Sequence, residues 1–164
     1  MYQHILERMK PLPQELRIIV TQYEEIINCA SEYGFEAVVN QQPELGISHS
    51  IHLGLKAALD REPSVEGVMF GVCDQPYLKS SSIEKLLKAF SSTNKGIAAL
   101  AYQEVIGNPC IFGRKYFQEL FALTQDIGGK KLIHRHIEDV ELVRVLEEKE
   151  LVDIDTKGNQ SHFI

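Results

Sequence analysis

The chain has 164 residues, a formal net charge of -6 and a hydrophobic fraction of 44%. This length suits one domain, and the acidic balance argues against a nucleic-acid-binding surface, which needs a basic patch. No apolar stretch approaches the roughly 20 residues of a membrane-spanning helix, so we expect no contact with a membrane. The three cysteines are widely spaced and form no CxxC pair, which favours a reduced cytoplasmic protein over a disulfide scaffold.

Strand-like and helical patterns alternate along the chain. Short apolar runs predict strands, and apolar residues at intervals of three or four predict helices. Strands are expected at 16–20, 35–40, 68–72, 97–102, 110–112, 140–146 and 151–154. Helices are expected at 2–9, 23–33, 48–59, 81–90, 114–123 and 130–136. The alternation predicts an α/β fold with a largely parallel sheet.

The run that begins at Val68 is the most informative of these strands. It is apolar apart from Gly71 and stops at Asp74, two residues before Pro76. A run this short and apolar is typical of a strand covered on both faces, and proline cannot donate to a strand ladder. Asp74 should therefore follow the carboxyl end of a buried strand, where open α/β sheets bind ligands and a carboxylate can hold Mg²⁺. Capping of the next helix by Asp74 explains the pattern about equally well.

A second polar stretch precedes the helix expected at 48–59. Gly46, Ser48 and Ser50 lie where the loop becomes a helix. Such a helix start offers backbone N–H groups and hydroxyls to an anion or a base. Ordinary capping by serine accounts for the same residues, and the pattern alone favours that simpler interpretation.

Three further stretches carry glycines or acids that are typical of ligand loops. The sequence at 107–109 predicts a turn, and 126–131 combines two glycines that permit tight turns with two lysines that could face phosphate. In 152–156, Asp153 and Asp155 alternate with an apolar residue, so a strand would place both carboxylates on one face, where they attract a cation. Taken singly, each stretch is more typical of an ordinary loop or a solvated strand edge.

Taken in order, these five stretches resemble the MobA-like nucleotidyltransferases, with the molybdenum cofactor cytidylyltransferases as the branch nearest in pattern. No single match is specific, but five in the family's order are hard to obtain by chance. The matching residues are Gly46-x-Ser48-x-Ser50-x-x-x-Gly54-Leu55, Cys73-Asp74-Gln75-Pro76-Tyr77-Leu78, Gly107-Asn108-Pro109, Asp126-x-Gly128-Gly129-Lys130 and Asp153-Ile154-Asp155-Thr156. The resemblance implies one domain over residues 1–164 with a Rossmann-like nucleotidyltransferase fold, a mostly parallel sheet in a three-layer sandwich.

The resemblance also implies an activity and a set of site residues. Members of the family transfer a nucleotide from an NTP, often CTP or GTP, to a phosphorylated acceptor such as molybdopterin and release pyrophosphate. By this resemblance the catalytic residue is Asp74, and the implied ligands of Mg²⁺ are Asp74, Asp153 and Asp155. The residues implied to bind the nucleotide are Gly46, Ser48 and Ser50. Those implied to lie toward the acceptor are Gln75, Gly107, Asn108, Pro109, Asp126 and Lys130.

The sequence departs from the family pattern at its start. The family's first strand and glycine-rich loop have no counterpart, because the first glycine is Gly34. We therefore expect an N-terminally truncated domain, whose exposed neighbouring strand is covered by a second copy of the chain or by a rearranged N-terminus. Without the loop, we expect poor turnover of NTP. The alternatives are a sugar-nucleotide transferase, or a non-catalytic protein of the same fold that binds a nucleotide or cofactor precursor or serves as a partner subunit.

Overall fold

Strands and helices alternate along the chain in the computed structural model, which describes residues 2–10, 12 and 16–154 and the backbone of 162–163. The strands are β1 (Ile18–Thr21), β2 (Glu36–Val39), β3 (Gly67–Val72), β4 (Ile97–Tyr102), β5 (Val105–Gly113), β6 (Val140–Arg144) and β7 (His162–Phe163). The α-helices are α1 (Tyr2–Met9), α2 (Glu24–Ala30), α3 (Ile47–Arg61), α4 (Ser80–Ser92), α5 (Phe117–Phe121) and α6 (Lys130–Arg135). Short 3-10 helices cover Ser31–Tyr33, Pro43–Leu45, Arg114–Tyr116, Ile137–Asp139 and Glu148–Leu151.

The strands form one sheet in the order β2-β1-β7-β3-β5-β4-β6. Strands β1, β2, β3, β4 and β6 run in one direction, and β5 and β7 run against them. Five of the seven strands therefore point the same way, but only two of the six neighbouring pairs, β1–β2 and β4–β6, are parallel, because β5 and β7 lie between strands of the opposite direction. The carboxyl ends of β1, β2, β3 and β4 consequently share one edge of the sheet, which we call the site edge.

Strand β7 lies inside the sheet, between β1 and β3. Its residue His162 stands opposite both Val20 in β1 and Val72 in β3. Neighbouring strands lie about 4.8 Å apart, so Val20 and Val72 are separated by roughly 10 Å. A C-terminal segment thus pairs with both β1 and β3. From the sequence we expected a second copy of the chain or a rearranged N-terminus to cover the exposed strand.

Helices cover both faces of the sheet and give it three layers, which confirms the expected sandwich. Ile18 and Val20 of β1 face one layer and Ile19 faces the other, as the two-residue repeat of a strand requires. The first layer buries Ile51, Leu55, Ala58, Phe117, Leu120, Leu132 and Ile133 from α3, α5 and α6. The second buries Ile5, Leu6, Met9, Ile26, Ala30, Ile83 and Leu86 from α1, α2 and α4. Within the described ranges, no helix is both long and apolar enough to cross a bilayer.

The Gly-Asn-Pro segment lies within β5, where the sequence predicted a turn. The turn of the β4–β5 hairpin falls at 103–104 instead. The pairing register shifts between Ala99 and Leu100 of β4, which leaves Asn108 and Pro109 as extra residues in β5. Proline has no N–H for the ladder, and a bulge is one of the few places where a sheet tolerates it. The prediction of a turn was therefore wrong because the irregularity is a bulge.

The strand expected at 151–154 is not formed. Glu148–Leu151 is a 3-10 helix, and residues 152–154 have no regular structure. The Ile154 N–H donates to the Asp74 carbonyl over 2.8 Å, so the segment docks on the sheet through its backbone without joining the ladder. The premise that Asp153 sits on a strand face is wrong. Asp155 lies outside the described residues.

Candidate functional site

A group of polar side chains lies at the site edge, directly beyond β3. Asp74 is half-buried and follows the last residue of β3 by two positions. Gln75 is only 1% exposed, and its Nε2 donates to Asp153 Oδ1 over 2.9 Å and, more weakly, to the Leu151 carbonyl over 3.5 Å. The structure therefore brings Asp74, Gln75 and Asp153 together, although Asp153 is remote from the other two in sequence.

The donor set at this place fits a hard cation. Mg²⁺ takes oxygen ligands and usually binds one or two carboxylates, with phosphate and water completing its shell. Asp74 and Asp153 could supply the carboxylates, and the buried Oε1 of Gln75 has no hydrogen-bond partner among the described residues. In that same part of the chain, no group of three or more His, Cys, Asp or Glu is gathered around a common point. A bound Mg²⁺ would therefore complete its shell with oxygens from substrate or water.

Cys73, which directly precedes Asp74, has a thiol with a raised pKa. Burial of the thiol, and after it the negative charge of Asp74, raise the pKa of Cys73 to about 12. A thiol with this pKa is neutral at physiological pH, and the thiolate is the nucleophilic form of cysteine. Cys73 belongs to the buried apolar core of the second layer and is not a candidate for covalent catalysis.

A small polar pocket of about 40 Å³ lies at the site edge between β1 and α3. It is lined by Val20, Thr21, Gln22, Asn40, Pro43, Gly46, Ile47 and Ser50. Asn40 and Ser50 are buried, and Asn40 Nδ2 donates to Ser50 Oγ over 3.1 Å. Asn40 Oδ1 accepts the Gln42 N–H over 2.9 Å. A pocket of this volume holds roughly three waters, or the polar edge of a nucleobase.

Gly46 joins this pocket to the loop before α6. Its φ of 83° and ψ of -176° lie in a region that is essentially reserved for glycine. A Cβ there would stand 2.5 Å from the Gln125 carbonyl carbon and 2.6 Å from Asp126 Oδ1. The Ser48 N–H donates to the Gln125 carbonyl over 3.0 Å. Asp126, assigned by resemblance to the acceptor side, therefore contacts the segment assigned to the nucleotide.

Ser48 and Ser50 do not share one surface. Both are buried, but positions two apart on a helix point in widely different directions. Ser50 lines the polar pocket with Gly46, whereas Ser48 is tied through its backbone to the loop before α6.

Of the other residues assigned by resemblance to the acceptor side, Asn108 and Lys130 lie near Cys110. Cys110 Sγ lies 3.9 Å from Asn108 Oδ1. Burial raises the pKa of the Cys110 thiol to about 12, and the nearby charge of Lys130 opposes this shift. A Cβ on Gly107 would lie 3.0 Å from Leu151 Cδ1, so Gly107 packs against the residue whose carbonyl accepts from Gln75. Gly107 therefore adjoins the Asp74 group, whereas Cys110 is buried in the other layer, with residues of α3, α5 and α6.

The pocket and the Asp74 group lie on the same edge without touching. Val20 precedes the pocket and Val72 precedes the Asp74 group, and β7 separates these two valines by roughly 10 Å.

Sequence reasoning missed Thr21 and Asn40, although each is a polar residue at the end of an apolar run, as Asp74 is. It also missed Glu150, a buried acid that no local pattern distinguishes from its exposed neighbours.

Comparisons with solved structures show a common fold. A nucleotidyl transferase from Methanothermobacter (Mth528) has a TM-score of 0.74 at 17% identity, with 93% of this chain and 73% of that chain covered. Rv0371C from Mycobacterium tuberculosis H37Rv, solved as a complex with manganese, has a TM-score of 0.68 at 22% identity, with 88% and 74% covered. Molybdopterin-guanine dinucleotide biosynthesis protein A from Archaeoglobus fulgidus has a TM-score of 0.59 at 16% identity, with 94% and 78% covered.

These similarities establish a Rossmann-like nucleotidyltransferase fold. No curated protein sequence matches the chain. The sequence profile of the MobA-like NTP transferase domain, however, matches residues 1–140. This match covers most of the chain and supports the coarse assignment of a nucleotidyltransferase. The chain therefore belongs to the family of MobA-like NTP transferase domains.

Proposed function

We propose that this protein is a Mg²⁺-dependent nucleotidyltransferase that moves CMP or GMP from CTP or GTP to a phosphorylated acceptor such as molybdopterin. The observation that carries the proposal is the meeting of Asp74, Gln75 and Asp153 at the site edge, on the edge that also holds the polar pocket. Ligands of open α/β sheets bind at this kind of edge.

In this proposal, Asp74 and Asp153 would hold the metal ion. Bound there, Mg²⁺ would supply positive charge that neutralises the phosphates and the departing pyrophosphate. Asp74 lies in the turn that directly follows β3, the central strand of the sheet. Asp153 lies on an irregular segment, and the bond from Gln75 Nε2 fixes its side chain. Gln75 Oε1 is left to accept a hydrogen bond from the acceptor molecule or to contact the ion.

The polar pocket receives the edge of the base. Asn40 and Ser50 place amide and hydroxyl groups there, and Gly46, whose missing side chain makes room for the loop before α6, completes the lining. The ribose and the α-phosphate would span the roughly 10 Å from β1 to β3. Lys130 and Asn108, grouped around Cys110, are on the acceptor side.

The reaction needs positioning more than a protein nucleophile. An oxygen of the acceptor phosphate attacks the α-phosphorus of the NTP and forms a new P–O bond. The bond from the α-phosphorus to the oxygen that bridges the β-phosphate breaks, and its electron pair leaves with pyrophosphate.

The test is pyrophosphate release by the purified chain with Mg²⁺, CTP or GTP, and molybdopterin. We expect Asp74→Asn, which keeps the side-chain shape but loses its charge, to lower the rate by about 10²-fold or more. The matched control is Asp60→Asn, because Asp60 is an exposed acid paired with Lys56 near the end of α3. Equal rates for the wild type and Asp74→Asn would overturn the proposal. Pyrophosphate release with a sugar phosphate as the only active acceptor would favour a sugar-nucleotide transferase. NTP binding without pyrophosphate release would favour a non-catalytic protein.

A further inference from the structure

Glu150 is a buried acid next to the candidate site. It is 1% exposed and is the last residue but one of the 3-10 helix Glu148–Leu151. A carboxylate is costly to bury unless hydrogen bonds or an opposite charge compensate it. Packing alone therefore does not explain the burial of the Glu150 carboxylate. The function proposed above assigns no role to this residue.

The partners of Glu150 come from the start of α4. Ser82, itself buried, donates from Oγ to Glu150 Oε2 over 2.6 Å. Lys79 Nζ lies 3.7 Å from the other carboxylate oxygen and also pairs with Glu147. The positive end of the α4 dipole adds a favourable field for the negative charge. Glu150 thus ties the segment after β6 to the element that follows Asp74 and Gln75.

The residues just after Glu150 are the ones that reach the site. Leu151 packs on Gly107 and accepts from Gln75 through its carbonyl. Asp153 accepts from Gln75, and Ile154 donates to the Asp74 carbonyl. Residues 152–154 have no regular structure, so their placement depends on such side-chain and backbone contacts.

We propose that Glu150 is a positioning residue that holds Asp153 against Gln75 and Asp74 by anchoring its segment to Ser82 and Lys79. The catalytic part of this proposal rests on the function proposed above, in which Asp153 is a ligand of Mg²⁺. The anchoring itself rests only on the contacts of the segment. The two ideas can therefore fail separately.

The test compares Glu150→Gln with Glu148→Gln, the same chemical change two positions earlier on an exposed side chain. Amide hydrogen exchange of the full chain is followed by NMR without metal, with the Ile154 amide as the reporter and the β4 amides as the reference. In Glu150→Gln an amide group replaces one carboxylate oxygen beside Lys79 or Ser82, so one of these donors loses its acceptor. We expect the Ile154 amide to exchange on the order of tenfold faster in Glu150→Gln, with β4 unchanged, and no change in Glu148→Gln.

A wild-type exchange rate for Ile154 in Glu150→Gln would overturn the proposal. An equal acceleration of Ile154 and the β4 amides would also overturn it, because it would mean general loss of stability without local release. Ser82→Ala should reproduce the local acceleration, and it should add little to Glu150→Gln if the two residues act as one contact.

A parallel titration with Mn²⁺ alone, read by electron paramagnetic resonance, separates this inference from the proposed function. Partners that orient a metal ligand are worth about 10–100-fold in metal affinity, so we expect Glu150→Gln to bind Mn²⁺ about tenfold more weakly than Glu148→Gln. If Asp74→Asn bound Mn²⁺ as the wild type does, the proposed metal site would fail, while the exchange result would still decide the anchoring by Glu150.

Discussion

Replacement of Gly46 by alanine tests the architecture of the site edge at its most constrained point. The backbone of Gly46 has a φ of 83° and a ψ of -176°, and such a conformation costs a residue with a Cβ about 1–3 kcal/mol. The added Cβ would also stand 2.5 Å from the backbone carbonyl carbon of Gln125. Real Cβ atoms do not approach that closely, so the loop before α6 must move, and overpacking of this kind costs about 1–3 kcal/mol.

Together these effects predict a loss of about 2–6 kcal/mol in the free energy of unfolding. The total free energy of unfolding of a domain is about 5–15 kcal/mol, so this loss is a large part of it. Because 1 kcal/mol corresponds to about 2–4 °C in a domain of this size, the melting temperature should fall by at least about 4 °C. The assay is urea denaturation followed by circular dichroism, with thermal melting as a second readout. Since Gly46 also lines the polar pocket, the variant should bind CTP more weakly than the wild type.

The matched control is Gly128→Ala, in the loop that Gly46 contacts. A Cβ on Gly128 would lie 3.6 Å from Ile47 Cδ1, an ordinary van der Waals contact. We expect this variant to lie within about 0.5 kcal/mol of the wild type. If Gly46→Ala proved as stable as Gly128→Ala, the conformation and close contact described for Gly46 would be refuted.

Two further predictions concern the polar pocket and the acid side of the pH profile. Ser50→Ala removes the acceptor of the buried Asn40 amide and should cost about 1–3 kcal/mol in urea denaturation; a cost near zero would show that this bond does not matter. Lys149 and, after it, Lys79 lower the pKa of Glu147 to about 2 from its ordinary value of 4.5. Because the folded-state pKa lies below the unfolded value, this contribution to stability is present above pH about 4.5 and disappears as the pH falls toward 2. An NMR titration should show the Glu147 pKa rising in Lys149→Met, and an unchanged value would contradict the ion pair.

The parts of the fold that the sequence predicts well depend on local patterns. The run ending at Val72 and the stop before Pro76 locate β3 and the site edge, because burial on both faces leaves a continuous apolar signal. The helix after Gly46 begins one residue earlier than expected and ends at Arg61, which is within the usual uncertainty of helix ends.

The errors arise where structure depends on distant residues. The segment 107–109 combines two turn-forming residue types with proline, but its bulge is set by pairing with β4, which lies earlier in the chain. Asp153 alternates with apolar residues as in a strand, yet its segment is held by Gln75 and Glu150, whose contacts reach across the fold. Neither partner can be identified by spacing, because the contacts join residues that the folding of the whole sheet brings together.

The most direct test of the Mg²⁺–nucleotide site is the metal dependence of CTP binding, measured by isothermal titration calorimetry with the purified chain. We expect Mg²⁺ to strengthen CTP binding by the wild type and by Asp60→Asn by about tenfold or more over EDTA, since loss of even a partner of a metal ligand costs that much. In Asp74→Asn this enhancement should be absent, whereas the metal-free affinity should be no weaker than that of the wild type, because the variant loses a negative charge beside the phosphates. An equal Mg²⁺ enhancement in Asp74→Asn and Asp60→Asn would contradict the assignment of Asp74 to the metal.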